Sequence, residues 1–148
     1  MTDRFDAFVT GITVCYKYIQ RIKSAEMEGF GMKGTQVMCL YYLHQNSEGL
    51  TAAQLCSLCA EDKAAISRTV SQLRQLGYVV SPAEKNYRAP LRLTAAGREI
   101  YRQMEPLIEG WVTAGGVGLT EEARADFYES LALIAGNLKK KMETEHKF

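Results

Sequence analysis

Between Asp62 and Leu76 the chain carries Lys63, Ser67, Arg68, Ser71, Gln72 and Arg74 on one side of a helical projection and Ile66, Val70, Leu73 and Leu76 on the other. Basic and hydroxylated side chains in front of an apolar back suit a helix lying in a DNA major groove. Arginine, glutamine and hydroxyl groups read base edges there. An ordinary solvated helix face uses the same residue types, so this helix alone leaves both readings open. The stretch after it favours DNA. Lys85, Arg88 and Arg92 would project from a hairpin beside the helix, toward the minor groove or flanking phosphates. From Lys63 to Arg98 there are seven basic residues and one acidic, Glu84, a local net of +6 in a chain whose total is +1. Positive charge gathered in one module is the electrostatic footprint of a nucleic-acid binder.

The other reactive side chains are four cysteines: Cys15, Cys39, Cys56 and Cys59. Cys56-x-x-Cys59 has the spacing of a redox pair or half a zinc site. Both fall on a short helical stretch that needs apolar residues, where free cysteine behaves as a small hydrophobe. Neither His44 nor His146 is placed to complete a tetrahedral site. Core packing is the expectation, and a thiol-based redox protein using Cys56 and Cys59 is a rival reading. The sequence has no glycine-rich phosphate loop, nucleophile elbow or carboxylate–histidine cluster, so no enzymatic activity, cofactor or metal is expected. Tyr16, Tyr41, Tyr42 and Trp111 could line a pocket for a small effector, although aromatics at helical spacing also simply fill cores.

The secondary structure that carries these groups follows from local chemistry. Thr51-x-x-Gln54 can form a capping box for a short helix whose apolar stripe is Leu55, Leu58 and Cys59. Asp62 suits the N-terminus of the next helix, and Gly77 the left-handed position after its last turn. Tyr78 to Val80 favours strand. A polar turn spans 81–86, and Tyr87 to Leu93 alternates with Leu91 and Leu93 on one face and Arg92 on the other. Pro90 cannot donate to a ladder, which predicts an edge strand. The order is helix, turn, helix, hairpin: a winged helix-turn-helix.

Around it the chain reads as helix. Residues 3–23 form a first helix, capped by Thr2 or Asp3; 24–34 reads as a loop and 35–44 as a central helix. Thr94 caps a long helix to about Thr113, with Pro106 expected to kink it. Residues 114–118 break the chain, and Thr120 caps a last helix whose seam is Phe127, Leu131, Ile134, Leu138 and Met142. The fold class is therefore mainly α with a small β-hairpin wing, flanked by N- and C-terminal dimerisation helices. One domain is expected over 1–148, with the DNA-binding region at 35–93 and the dimerisation region at 1–34 and 94–148. A monomer could fold the terminal helices on one another. A homodimer, which is preferred, would set two reading helices ~34–36 Å apart. With 47% hydrophobic and 24% charged residues, and no apolar run near the ~20 residues of a membrane span, a cytoplasmic protein with no membrane partner is expected.

The residues Asp62-Lys63-x-x-Ile66-Ser67-Arg68-x-Val70-x-x-Leu73, Gly77-Tyr78-Val79 and Leu91-Arg92-Leu93-Thr94-x-x-Gly97 resemble the MarR family of bacterial winged-helix regulators. The order of elements is similar over essentially the whole chain. The resemblance implies a homodimer that binds double-stranded DNA at a pseudo-palindromic operator, usually as a repressor, released by a small-molecule effector or an oxidant. It implies that Ser67, Arg68 and Ser71 face bases or nearby phosphates, and that Lys85, Arg88 and Arg92 belong to the wing. Some relatives use a first-helix cysteine as a peroxide sensor, which makes Cys15 a redox candidate. One departure stands out. The family's wing commonly carries Asp-x-Arg, whereas this chain has Lys85 and Tyr87 there and arginine one residue later, at Arg88.

Overall fold

The computed structural model describes residues 3–81 and 89–146. Helix α1 spans Arg4–Met27, followed by a single 3-10 turn, Glu28–Phe30. Helices α2 (Gly34–Gln45), α3 (Ala52–Cys59) and α4 (Lys63–Gln75) follow, then strands β1 (Val79–Val80) and β2 (Arg92–Leu93), and helices α5 (Ala95–Gly115) and α6 (Glu121–Glu145). This is the mainly α winged architecture that the patterning predicts. The chain groups into two compact units, Met1–Trp111 and Val112–Phe148, with the boundary inside α5 rather than at an edge of the winged region.

In the first unit, α2 lies at the centre and packs on α1, α3 and α4. Val37, Cys39, Leu40 and Leu43 of α2 meet Leu55, Ile66, Leu73, Tyr101 and Met104 in one core. Each fully buried aliphatic side chain there contributes about 1.5–3 kcal/mol. The predicted caps form. Asp3 Oδ1 accepts from Phe5 N at 2.9 Å, Thr51 and Gln54 bond reciprocally at 2.8 and 3.2 Å, and Asp62 Oδ1 accepts from Ala65 N at 2.7 Å.

Several local expectations are corrected. The predicted loop at 24–34 is helix as far as Met27, because Met27 is fully buried and draws another turn of α1 against the core. Leu58 and Leu76 do not extend the apolar faces of α3 and α4. They are 42% and 50% exposed, because each helix turns its buried side through Leu55 or through Ile66, Val70 and Leu73. Pro106 falls inside the long helix α5, as its place in the pattern predicts.

The wing strand is not an edge. Val79 pairs with Leu93 and Val80 with Arg92, and on the other side Leu91 bridges Leu50 by two hydrogen bonds of 2.8 and 3.0 Å. The bridge starts one residue after Pro90, so the missing N–H costs no ladder bond. Gly49 permits the approach: at φ +101° a Cβ there would stand 2.7 Å from Pro90 Cβ. The expected turn at 81–86, apart from Ser81, and Tyr87 and Thr2 lie outside the described residues.

In the second unit, Thr120 Oγ1 accepts from Ala123 N at 3.1 Å to cap α6, and Arg124 reaches Gly116 O at 3.5 Å. Phe127, Leu131, Leu138 and Met142 of α6 are all exposed in the single chain. On α1, Phe5, Phe8, Ile12, Ile19 and Ile22 are exposed too. Among the described residues, no helix is long and apolar enough to cross a membrane.

Candidate nucleic-acid interface

Helix α4 is held from behind and capped in front. Ile66 and Leu73 are fully buried, with Val70 and Thr69 nearly so. Lys63, Ser67, Arg68, Ser71 and Arg74 are exposed on the opposite side. Arg68 has no side-chain hydrogen bond or ion pair with another described residue. Arg74, in the last turn, opposes the negative end of the helix dipole.

Gln72, expected on this outer face, is half-buried, and its Oε1 accepts from Gln36 Nε2 of α2 at 3.0 Å. Gln36 is itself buried, and its Oε1 accepts from Lys33 N at 2.8 Å. The Gln72 amide therefore ties α4 to the start of α2, and leaves the outer face to the arginine, the lysine and the serines.

The turn before α4 is strained. Ala60, with φ +53°, is the one non-glycine residue at positive φ among those described, and it closes α3 in the left-handed conformation. Such a residue costs roughly 1–2 kcal/mol relative to ordinary backbone. Its return is the tight link that sets α3 against α4, closed by Glu61 N donating to Cys56 O at 3.1 Å.

The end of α4 and the wing base are joined at one point. Gly77, at φ +78°, lets Tyr78 N donate to Leu73 O at 2.9 Å. Thr94 Oγ1 donates to Gly77 O at 2.6 Å and accepts from Gly97 N at 3.0 Å, while Thr94 N donates to Tyr78 O at 3.0 Å. Helix α5 then passes so close that a Cβ on Gly97 would lie 2.1 Å from Tyr78 O. This is the physical content of the Leu93-Thr94-x-x-Gly97 motif.

Arg92 is exposed on β2, and its Nε donates to Glu48 O at 2.9 Å, which anchors the arginine stem beside the turn ahead of α3. Arg98 donates to Leu93 O at 3.1 Å. Lys85 and Arg88, the other wing candidates, lie outside the described residues.

Three of the four aromatic candidates, Tyr41, Tyr42 and Trp111, pack against one core, and Tyr16 lies apart. Tyr41 stacks edge-on to Tyr42 at 5.1 Å and lies 6.3 Å from Tyr101. Trp111 packs against the same core and its Nε1 donates to Glu26. Tyr16 is 63% exposed, and its hydroxyl accepts from Gln20. One cleft along α1 is lined by Gln20, Arg21, Ser24, Ala25 and Glu28, and another by residues 45–49; neither includes a candidate aromatic.

Cys15 is exposed, Cys39 buried, and Cys56 and Cys59 half-buried against the core. No group of three or more His, Cys, Asp or Glu side chains among the described residues is placed to hold a metal. The sequence reading missed the Gln36–Gln72 bond, which joins residues from separate helices, so no local spacing signals it.

Residues 30–88 match the family model described as MarR family. By that match this stretch is similar to the winged helix-turn-helix of the MarR family. A curated relative, the LexA repressor of Deinococcus radiodurans, is 38% identical over 88 residues, which cover 60% of this chain. The match spans only 40% of that protein's length. Two solved structures share the fold over nearly the whole chain. A MarR transcriptional regulator from Methanosarcina mazei Go1 superposes with a TM-score of 0.81 at 21% identity, covering 96% of this chain and 95% of that one. The S. aureus MepR–DNA complex gives 0.80 at 14% identity, covering 92% and 99%.

Proposed function

We propose that this protein is a sequence-specific double-stranded DNA-binding transcriptional regulator of the MarR type. In this reading it works in the cytoplasm as a homodimer on a pseudo-palindromic operator, as a repressor released by a small ligand or an oxidant. One observation carries it. Arg68 stands exposed in the middle of α4 between Ser67 and Ser71, without a protein partner among the described residues, while the back of the same helix is locked into the core. A guanidinium held on a rigid element and left unpaired suits bidentate contact with guanine O6 and N7. Lys63 and Arg74 at the two ends of the helix suit flanking phosphates. The S. aureus MepR structure, which shares the fold, is a complex with DNA, and this supports DNA as the partner of this chain. The exposed apolar faces of α1 and α6 support a second copy as their cover.

The test is selection of bound fragments from the host genome, followed by anisotropy titrations on the best fragment and on random DNA. Arg68→Ala should lower affinity for the selected site by about 1–3 kcal/mol and reduce discrimination against random DNA. If a dimer neutralises roughly eight phosphates, log K should fall with log salt with a slope of about −7. Unchanged discrimination in Arg68→Ala removes that residue from the reading role.

A further inference from the structure

The polar contact that joins α4 to α2 has a fixed sense. Lys33 N can only donate, so it is the Gln36 oxygen that accepts from it at 2.8 Å. That leaves the Gln36 nitrogen as the donor toward α4, and Gln72 Oε1 accepts from it at 3.0 Å. Gln36 is 6% exposed and stands beside fully buried Val37 on the central helix α2. It cannot turn away without opening the core. A backbone N–H on one element therefore sets the direction of two amides and fixes which atom of Gln72 is engaged.

Gln72 stands at the flank of the reading face. It is half-buried, next to exposed Ser71 and one helical turn on from exposed Arg68. Its side chain makes no other hydrogen bond among the described residues. A free glutamine amide offers a donor and an acceptor side by side, the pair that matches adenine N7 and N6. With its oxygen held by Gln36, Gln72 lacks the acceptor half. Pulling it away would leave a buried Gln36 N–H unpaired, at a cost of the same order as one bidentate base contact returns. The tether therefore holds when α4 meets a duplex.

We infer that Gln36 is a specificity-determining residue of the DNA contact: by binding the Gln72 oxygen it withholds from α4 a contact to adenine. This rests on the DNA-binding reading above. Gln36 is buried and acts through Gln72, so it is a positioning residue. Four residues along α4 are a rise of about 6 Å. At ~3.4 Å per base pair, a released Gln72 would meet a base one or two pairs from the one that Arg68 faces. In the wild-type protein that position goes unread by Gln72, and base choice belongs to Arg68 and its neighbouring serines.

Full-length wild type, Gln36→Met, Gln72→Ala and the double variant each select from a pool of randomised DNA duplexes. Anisotropy then measures affinity for fixed duplexes that differ at one base pair. Methionine nearly keeps the length of glutamine and has no N–H to hold Gln72. Gln36→Met should gain an adenine preference of roughly 5–150-fold at one position near the base pair read by Arg68. The double variant should lose that gain. Gln72→Ala alone should keep the wild-type motif, because a withheld amide adds nothing to it. If Gln36 served stability only, Gln36→Met would bind all duplexes more weakly by one factor with its motif unaltered, and that result overturns the inference. A new preference that survives in the double variant overturns it too, as does a Gln72→Ala motif that has lost a base. Where circular dichroism shows Gln36→Met unfolded, the Gln72→Ala motif decides alone. A wild-type protein that selects no motif defeats the DNA-binding reading and this inference with it, whereas a clear wild-type motif beside any of the overturning results defeats the inference alone.

Discussion

Replacing Gly97 with alanine tests how the wing base is built. Alanine is ordinarily the better helix residue, by up to about 1 kcal/mol. Here the new Cβ would sit 2.1 Å from Tyr78 O and 3.0 Å from Tyr78 C. Both contacts are backbone, so no side chain can swing aside. Tyr78 or the start of α5 must retreat by more than about 1 Å to reach ordinary van der Waals distance, and overpacking of this kind costs about 1–3 kcal/mol. The retreat also stretches the 3.0 Å bond from Thr94 N to Tyr78 O, a net loss of about 0.5–1.5 kcal/mol. Set against the helix preference, the sum is a destabilisation of about 1–3 kcal/mol, or a fall in Tm of roughly 2–12 °C for a chain this size. Urea and thermal unfolding followed by circular dichroism measure it. Gly110→Ala is the control. It lies in the same helix with nothing within 4 Å of the added Cβ, so it should be neutral or stabilising. A Gly97→Ala protein as stable as wild type would refute the close approach of α5 to β1.

Other outcomes follow from the same geometry. Asp62→Ala removes the 2.7 Å cap on Ala65 N and should cost about 1 kcal/mol in urea unfolding, with fraying of the turn that carries Lys63. Leu131→Glu or Ile12→Glu places a charge on an apolar face that the single chain leaves bare; if the proposed dimer covers it, light scattering should show a 16.6 kDa species in the variant. A wild-type protein already at that mass would count against the dimer. Thr94→Val loses both hydroxyl bonds, to Gly77 O and from Gly97 N, and should destabilise by about 1–3 kcal/mol without changing mass. Lys23→Met removes the cation facing Cys59, so the pH at which Cys59 becomes alkylatable should rise; Cys39, Glu61 and Tyr42 remain around it. An unchanged or lower pH would show that Lys23 does not stabilise the thiolate.

Most of the winged module is legible in residue order because its determinants are local. A cap bonds two or three residues ahead, as at Thr51 and Asp62, and an apolar stripe recurs at threes and fours, as at Ile66, Val70 and Leu73. A left-handed glycine such as Gly77 announces its own turn. Those rules act within one element, so spacing alone exposes the outward face that carries Arg68. The failures lie where a distant contact outweighs a local preference. Burial of Met27 extends α1 past its expected end, and Leu50 turns the predicted edge strand into one flanked on both sides. A hydrogen bond to Gln36 takes Gln72 from the reading face.

Residue order alone carries the kind and order of elements, the basic outer face of α4 and the similarity of residues 30–88 to the MarR family. Each of these depends on neighbours a few residues apart. The direction of Gln72 came from packing instead, because its partner Gln36 sits on a different helix. Packing of α2 on α4 brings the two amides together, a contact between residues 36 positions apart that no periodicity can signal.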